Sequence, residues 1–246
     1  MVISKYKLFI LAFILTFGSY RSFSQVRTTK HTDGGIILPL VFSFIDFTNN
    51  PSNLSNVPRF SCFFHLGQYY DLNIGNNLGF FSGLTLLNVG FTALNNETDV
   101  EKRFRSYALG VPVALKLGSF KDNFYLYGGA EYQWLFHYKE KTFINGEKIK
   151  YTEWFSNKTV RFMPSVFVGI QFPKNWTIKF QYMLEPFLRP ENITNPYFAQ
   201  FGTIPNGNVF WISLSKTNFL KFLKDKALPS RNTTLYSMNQ SSNYKE

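Results

Sequence analysis

Histidine, serine and carboxylate side chains are the natural place to look for chemistry, and this chain offers few arrangements of them. His31, His65 and His137 are its three histidines. His31 falls in the lead-in to the first strand, and His65 falls mid-strand on an inward face. His137 falls near one rim, where Ser156, Ser165, Glu140 or Glu153 would have to approach it. A hydrolase needs a nucleophile within hydrogen-bond reach of a base, with a third group orienting that base. No local signature of such a site surrounds these residues, so no enzyme is expected, and a rim histidine held in a hydrogen-bond network is the plainer account. No cluster has metal-ligand spacing, and no cofactor site is expected. Cys62 is the single cysteine. It excludes an internal disulfide and a Cys-based metal centre, and suits a small apolar position on the outer face of a strand.

Two further sets of polar residues stand out. Lys116, Glu131, Gln133, Gln171, Lys179, Gln181 and Glu185 recur at alternate positions of otherwise apolar stretches. They are expected to point inward as a buried hydrogen-bonded and ionic network filling a lumen; the alternative is a narrow polar pore. Lys102, Arg103, Arg105, Lys139, Lys141, Lys148, Lys150, Lys158 and Arg161 gather between strands at the opposite end from the short turns. Of these, Lys102, Arg103, Arg105, Lys139, Lys141, Lys158 and Arg161 are the candidates to pair with lipopolysaccharide phosphates, since Lys and Arg form charge-assisted hydrogen bonds to phosphate. Asp99, Glu101, Glu140, Glu147 and Glu153 are interspersed, so an ordinary solvated loop is the competing account.

The element that positions these groups is clearest between Arg105 and Tyr138. Tyr107, Leu109, Val111, Val113, Leu115 and Leu117 fall on one face, and Ser106, Ala108, Gly110, Ala114, Lys116 and Gly118 on the other. After the turn Ser119 to Asn123, Phe124, Leu126, Gly128, Ala130, Tyr132, Trp134, Phe136 and Tyr138 alternate with residues such as Glu131, Gln133 and Lys139. A period of two over this length is a long β-hairpin with a greasy outside and a wet inside. The other strand candidates are about Gly35 to Phe47, Arg59 to Leu72, Leu78 to Thr92, Arg161 to Phe172, Trp176 to Phe187 and Val209 to Lys216. The third of the eight is expected to face out with Phe81, Thr85, Leu87, Val89 and Phe91. No charge falls on the expected outward faces of strands two to eight before Lys216, where each would cost roughly 2–4 kcal/mol at mid-bilayer.

Short turns at Asn73 to Asn77, Ser119 to Asn123 and Pro173 to Asn175 alternate with long polar segments at about Thr48 to Pro58, Ala93 to Phe104, Glu140 to Val160 and Leu188 to Asn208. Strict alternation of short and long connections is the outer-membrane pattern, and an even strand count leaves both termini in the periplasm. Pro112 sits mid-strand and predicts a bulge. Aromatic residues make up 19% of the chain, including 29 Phe and 14 Tyr. After the N-terminus no apolar run is long enough for a spanning helix.

The chain therefore divides into a signal peptide over 1–24, a periplasmic lead-in over 25–33, a barrel over 34–216 and a basic tail over 217–246. Lys5 and Lys7, the apolar run Leu8 to Phe17 and the small residues before Gln25 carry the first assignment. The tail is expected either to begin as a short amphipathic helix and end disordered, or to be disordered throughout. The fold class is all-β, an eight-stranded antiparallel up-and-down transmembrane β-barrel. A soluble lipocalin-like barrel would reverse the faces, with grease inside and charge outside.

The stretches Gly79 to Phe91 (GFFSGLTLLNVGF), Gly110 to Phe120 (GVPVALKLGSF), Tyr125 to Phe143 and Met163 to Pro173 (MPSVFVGIQFP) resemble Bacteroidetes outer-membrane β-barrel proteins of the PorT-like group. The resemblance implies an outer-membrane barrel and no particular activity. The role to expect is a structural or interaction scaffold that meets outer-membrane lipid and an envelope protein partner. A small-solute pore or a lipid-modifying hydrolase is the alternative. The net charge of +11 would suit nucleic acid, but a secreted, Phe-dense chain without a recognition motif argues against that partner.

Overall fold

In the computed structural model, which describes residues 26–35, 39–48, 53–61, 65–144, 146–193 and 204–218, burial alternates with period two wherever the sequence does. Leu109, Val111, Val113, Leu115 and Leu117 are exposed, while Ser106, Ala108, Ala114 and Lys116 at the alternate positions are buried. Backbone pairing turns this pattern into twelve strands: β1 (Val26–Gly35), β2 (Leu40–Phe47), β3 (Leu54–Val57), β4 (Arg59–Ser61), β5 (His65–Ile74), β6 (Leu78–Asn95), β7 (Val100–Ser119), β8 (Phe124–Ile144), β9 (Glu147–Trp154), β10 (Phe162–Phe172), β11 (Trp176–Pro186) and β12 (Gly207–Lys216). The connections after β5, β7 and β10 are tight, the last a 3-10 turn at Pro173–Asn175.

All twelve strands belong to one sheet, in the order β1-β5-β6-β7-β8-β10-β11-β12-β2-β4, with β3 also on β6 and β9 also on β8. Every ladder is antiparallel, and the first and last members of this order belong to the same two stretches of chain. β1 pairs with β5 and β2 pairs with β4, while β12 occupies the other side of β2. The sheet thus curls until its ends meet. Just beyond β12, the Asn218 N–H donates to the Thr32 carbonyl at 2.7 Å, and Asn218 Oδ1 accepts the Thr32 N–H at 3.1 Å.

Several expectations need correction. The described residues form twelve strands and not eight. β3 and β9 are additional short strands laid against β6 and β8, and two stretches each contribute two strands. Val26–Gly35, expected mostly as a lead-in, is β1; it carries so little apolar sequence that only its ladder to β5 marks it as a strand. The expected loops Ala93 to Phe104 and Glu140 to Val160 are largely strand, because β6, β7, β8 and β9 continue past the apolar band, the last three with charged residues. The signal peptide, Cys62 and the tail beyond Asn218 lie outside the described residues.

The outward face of β6 was also misassigned. Leu87, Val89 and Phe91 are buried, whereas Phe80 and Leu84 are exposed. Both faces of β6 are apolar, so alternation cannot choose between them. Its neighbours do: Phe80 lies opposite Leu72 and Leu115, both exposed, and Phe81 opposite Asp71 and Ala114, both buried. Pro112 causes no bulge. The β6–β7 register reaches Ser82↔Val113 and resumes at Thr85↔Gly110 without a shift, and the Ser82 hydroxyl donates to the Pro112 carbonyl at 2.8 Å. The β7–β8 irregularity falls instead between Tyr107 and Ala108. It inserts Phe136 and turns Tyr138, expected outside, to the inner face at 1% exposure.

Inside the curl lie two apolar clusters. Away from the tight turns, Leu87, Phe91, Phe104, Leu135, Met163, Phe187 and Trp211 are among the members of a large core. Nearer the turns, Tyr69, Phe81, Tyr127 and Phe167 form a smaller aromatic one. The interior is therefore apolar over much of its length, where a small and polar one was expected.

Close approach of the strands leaves Gly129 no room for a side chain. It faces Ala114 on β7 and Phe167 on β10, and an added Cβ would press on the Val113 carbonyl and Ala114 Cα, both backbone. At Gly128 the nearest atom, the Phe167 carbonyl oxygen, would be an ordinary 3.4 Å away. Gly129→Ala is expected to destabilise the fold by about 1–3 kcal/mol, the usual cost of overpacking, and Gly128→Ala to be tolerated. Urea unfolding followed by tryptophan fluorescence measures both.

Candidate functional sites in the interior and at the rim

The inner faces place polar groups in tiers between the apolar clusters. In the tier nearest the tight turns, Asp71 on β5 sits between a strand neighbour and a strand once removed. His31 Nδ1 and Asp71 Oδ2 are 2.5 Å apart, and Lys116 Nζ reaches Asp71 Oδ1 from β7 at 2.5 Å. The Thr29 hydroxyl donates to the same carboxylate at 3.4 Å. The His31 ring stacks on Tyr69, with centroids 4.8 Å apart. Neither His31 nor Asp71 was foreseen as part of a network. The alternation of Thr29, His31 and Asp33 was the available signal, hidden because this stretch was not read as a strand.

The next tier centres on Glu131, which is 2% exposed. It accepts hydrogen bonds from the Thr85 hydroxyl on β6, from Gln181 Nε2 on β11 at 2.5 Å and from Gln133 Nε2 on its own strand at 3.2 Å. Ser165 on β10 accepts from Gln181 at 2.9 Å and donates to the Glu131 carbonyl at 3.1 Å. Three strands are thus tied through one carboxylate, and Ser165 adds a fourth through the Glu131 backbone carbonyl. Gln171 accepts from the Thr217 hydroxyl at 3.0 Å, and half-buried Lys179 lies over the Phe167 ring at 5.5 Å.

Glu185 does not belong to this set. The register of β11 against β12 shifts between Tyr182 and Pro186, and Glu185 is exposed. Two interior cavities, one near His31 and Tyr127 and one beside His65 and Trp211, measure about 20 Å³ each. Each has room for about one water.

At the far rim, the strand faces separate the expected cationic collar into unlike groups. Lys102 is not on the surface: it is 0% exposed, on the inner face of β7, with its ammonium 2.9 Å from Glu140 Oε1. Tyr138 and Thr142 donate to the same carboxylate at 3.0 and 3.4 Å. Val100 and Phe104 share that buried face, and Arg103, Arg105 and Tyr107 take the other. There Arg105 lies opposite Lys139 and Arg103 opposite Lys141, so these four cations are brought together. Arg103 also pairs with Glu101 at 2.5 Å. Burial, and then the charges of Arg105, Lys148, Lys150 and Arg103, push the Lys141 ammonium below the ordinary lysine range. Lys158 and Arg161 sit apart, the first near Glu153 at 3.5 Å and the second donating to Asn157 at 3.3 Å.

The residues considered for a hydrolase are not assembled. His137 is stacked between Trp154 and Tyr107, with centroids 4.1 and 5.6 Å away. The Ser156 hydroxyl donates to Glu153 at 2.7 Å, Ser165 belongs to the Glu131 tier, and Glu140 holds Lys102 from the opposite face. Arg59 and Asn88 are a pair that sequence reasoning missed. Arg59 is buried, and its Nη2 donates to Asn88 Oδ1 at 2.9 Å. No periodic feature marked either residue, since β4 is three residues long.

These features describe an all-β protein with an apolar exterior and tiered polar tethers inside. No family model and no curated protein matches the chain, so the PorT-like resemblance gains no support there. Among solved structures, the chain is similar to that of Ail, the attachment invasion locus protein of Yersinia pestis, in complex with the heparin analogue sucrose octasulfate. The identity is 11%, over 78% of this chain and 98% of that one, with a TM-score of 0.33. A likeness of this degree says nothing of ligand or role.

The Lys102–Glu140 pair makes a clear test of the inner face. Removing one partner strands a buried charge, so Lys102→Met is expected to cost about 3–5 kcal/mol. Lys102→Met combined with Glu140→Leu should recover most of that loss, because an apolar pair can replace a buried ion pair at little cost. Unfolding midpoints of the single and double variants in detergent decide it.

Proposed function

We propose that the chain is an integral outer-membrane barrel serving as a scaffold, not a catalyst or an open pore. The exposed apolar band carries this reading. Tyr70, Leu72, Phe80, Leu84, Val113, Leu126, Tyr132, Val168, Ile178 and Ile212, from seven strands, are each more than 40% exposed. A water-soluble barrel would not present so continuous an apolar surface. Along β7 the band runs from Leu117 to Leu109. At a rise of about 3.4 Å per residue and a tilt near 40° it is roughly 20 Å tall, close to the ~25 Å expected of outer-membrane barrels.

On this reading the wall of the barrel follows the strand order of the sheet, with twelve strands among the described residues. β3 and β9, off that path, are additions at the rim. The tight turns, and with them both chain ends, belong on the periplasmic side. The tiers around Asp71 and Glu131 and the water-sized cavities favour a plugged interior over a conducting one. The cationic face of β7 and β8 is then left at the level of outer-leaflet headgroups, where envelope lipid or a protein partner would meet it.

Three measurements test this. The full chain should fractionate with outer membranes and show heat-modifiable gel mobility; a soluble, unshifted band would reject the assignment. Val113→Lys, at a mid-band position 61% exposed, should cost about 2–4 kcal/mol of folding stability in lipid vesicles. In planar bilayers the protein should give no stable conductance steps, and steady single-channel currents would restore the pore.

A further inference from the structure

One gap in the sheet has the chemistry of a binding site. β6 pairs with β5 as far as Leu86↔Leu66 and with β3 from Thr92↔Val57 onward. Between those points eight residues, 58–65, lie on one side and five, 87–91, on the other. β4, in the longer span, pairs with β2 and, among the described residues, not with β6. The two strands part, and a cleft of about 620 Å³ opens between them, far larger than the water-sized cavities of the interior.

The lining of this cleft is strongly cationic. Arg59, Arg103, Arg105 and Lys141 contribute to it, and Glu101 is its one carboxylate, already paired with Arg103. Arg59 forms part of the wall, oriented by the Asn88 side chain at 2.9 Å and, more weakly, by the Ser43 hydroxyl and Asn88 carbonyl at 3.4 and 3.5 Å. Its partners are all neutral, and among the described residues neither Arg59, Arg105 nor Lys141 has a carboxylate within ion-pair distance. A buried guanidinium lacking a counter-charge is costly, and its planar fork matches two oxygens of a phosphate. The crowding that lowers the Lys141 proton affinity is relieved by an anion in the same place. The cleft also sits where the apolar exterior ends: Phe60 in its lining is 53% exposed, and on β7 the run Leu117 to Leu109 gives way to Tyr107, Arg105 and Arg103.

We infer that this cleft binds a phosphate group carried on an outer-leaflet lipid, with Arg59 and Arg105 as its principal ligands. The inference rests on the outer-membrane reading above for the lipid, and on the cleft alone for the phosphate. Phe60 gives the acyl or sugar portion of the lipid an apolar flank, while Asn88 holds the Arg59 fork in position.

The test uses the full chain refolded in detergent micelles, with a fluorescent bis-phosphorylated lipid A as probe. Wild type should bind it, and Arg59→Gln and Arg105→Gln should each weaken binding about tenfold, the worth of one charge-assisted hydrogen bond. Lys121→Gln, in the tight turn after β7 at the opposite end from the cleft, should bind as wild type does. Dephosphorylated lipid A should bind wild type as weakly as the probe binds the variants, and inorganic phosphate at the same concentration should not displace the probe. Arg105 is only half-buried, so its variant carries the test if Arg59→Gln fails to fold. Unchanged binding by folded Arg105→Gln overturns the proposal, and full displacement by inorganic phosphate overturns the lipid as its source. Vesicle insertion of the same samples is scored separately, so a failure of the membrane reading is told apart from a failure of the cleft.

Discussion

Backbone amides facing lipid have no water to bond, so a sheet that crosses a bilayer must return all its hydrogen bonds to itself. In the membrane setting proposed above, the double pairing of β2, with β12 on one side and β4 on the other, serves that demand. Everything else follows from it. Once the ends join, side chains have only two destinations, lipid or interior, and period two sorts them. Large apolar groups can then be exposed without penalty, and polar groups that cannot face lipid must find partners across a narrow interior.

Those partners do more than satisfy hydrogen bonds. Lys116 reaches past β6 to Asp71, and Glu131 on β8 reaches Gln181 on β11. A strand that slipped by one residue would turn each of these groups to the apolar outer face. A buried ion pair adds little to net stability, but its disruption is severe. The tiers therefore act as register pins, and the apolar clusters between them supply the packing. Among the described residues, a buried cation beside a large open cleft is found where β4 and β6 separate, which is why that gap stands out from the filled interior.

The hairpin of β7 and β8 was legible in the sequence because its two faces differ so sharply. Leu109 to Leu117 and Phe124 to Trp134 are oil on one side, and Lys116, Glu131 and Gln133 are polar on the other. Where the contrast fails, so does the reading. β6 is apolar on both faces and was turned the wrong way. Past the band, charge stops reporting direction: Lys102 and Arg103 are neighbours of the same sign, one wholly buried and one exposed. β1 carries too few apolar residues to announce itself. The irregularities that turned Tyr138 inward and left Glu185 exposed arise from pairing between strands distant in sequence or from single inserted residues, and no local pattern carries that information. Arg59 and Asn88 were invisible for the same reason, since their relation depends on two strands coming apart.

The latch between Thr32 and Asn218 joins residues 186 positions apart, and this separation has a consequence for timing. Contacts so distant in sequence are slow to form, because a long loop must close before they contribute anything. Until residues 207–218 are free to pair, β2 lacks its β12 partner and presents an unpaired row of amides, a template for pairing with the wrong chain. The hairpin of β7 and β8, being local, can form long before then. Biogenesis thus divides into an early, self-contained step and a late one that waits for the last strand, and in that interval the chain is most in need of protection.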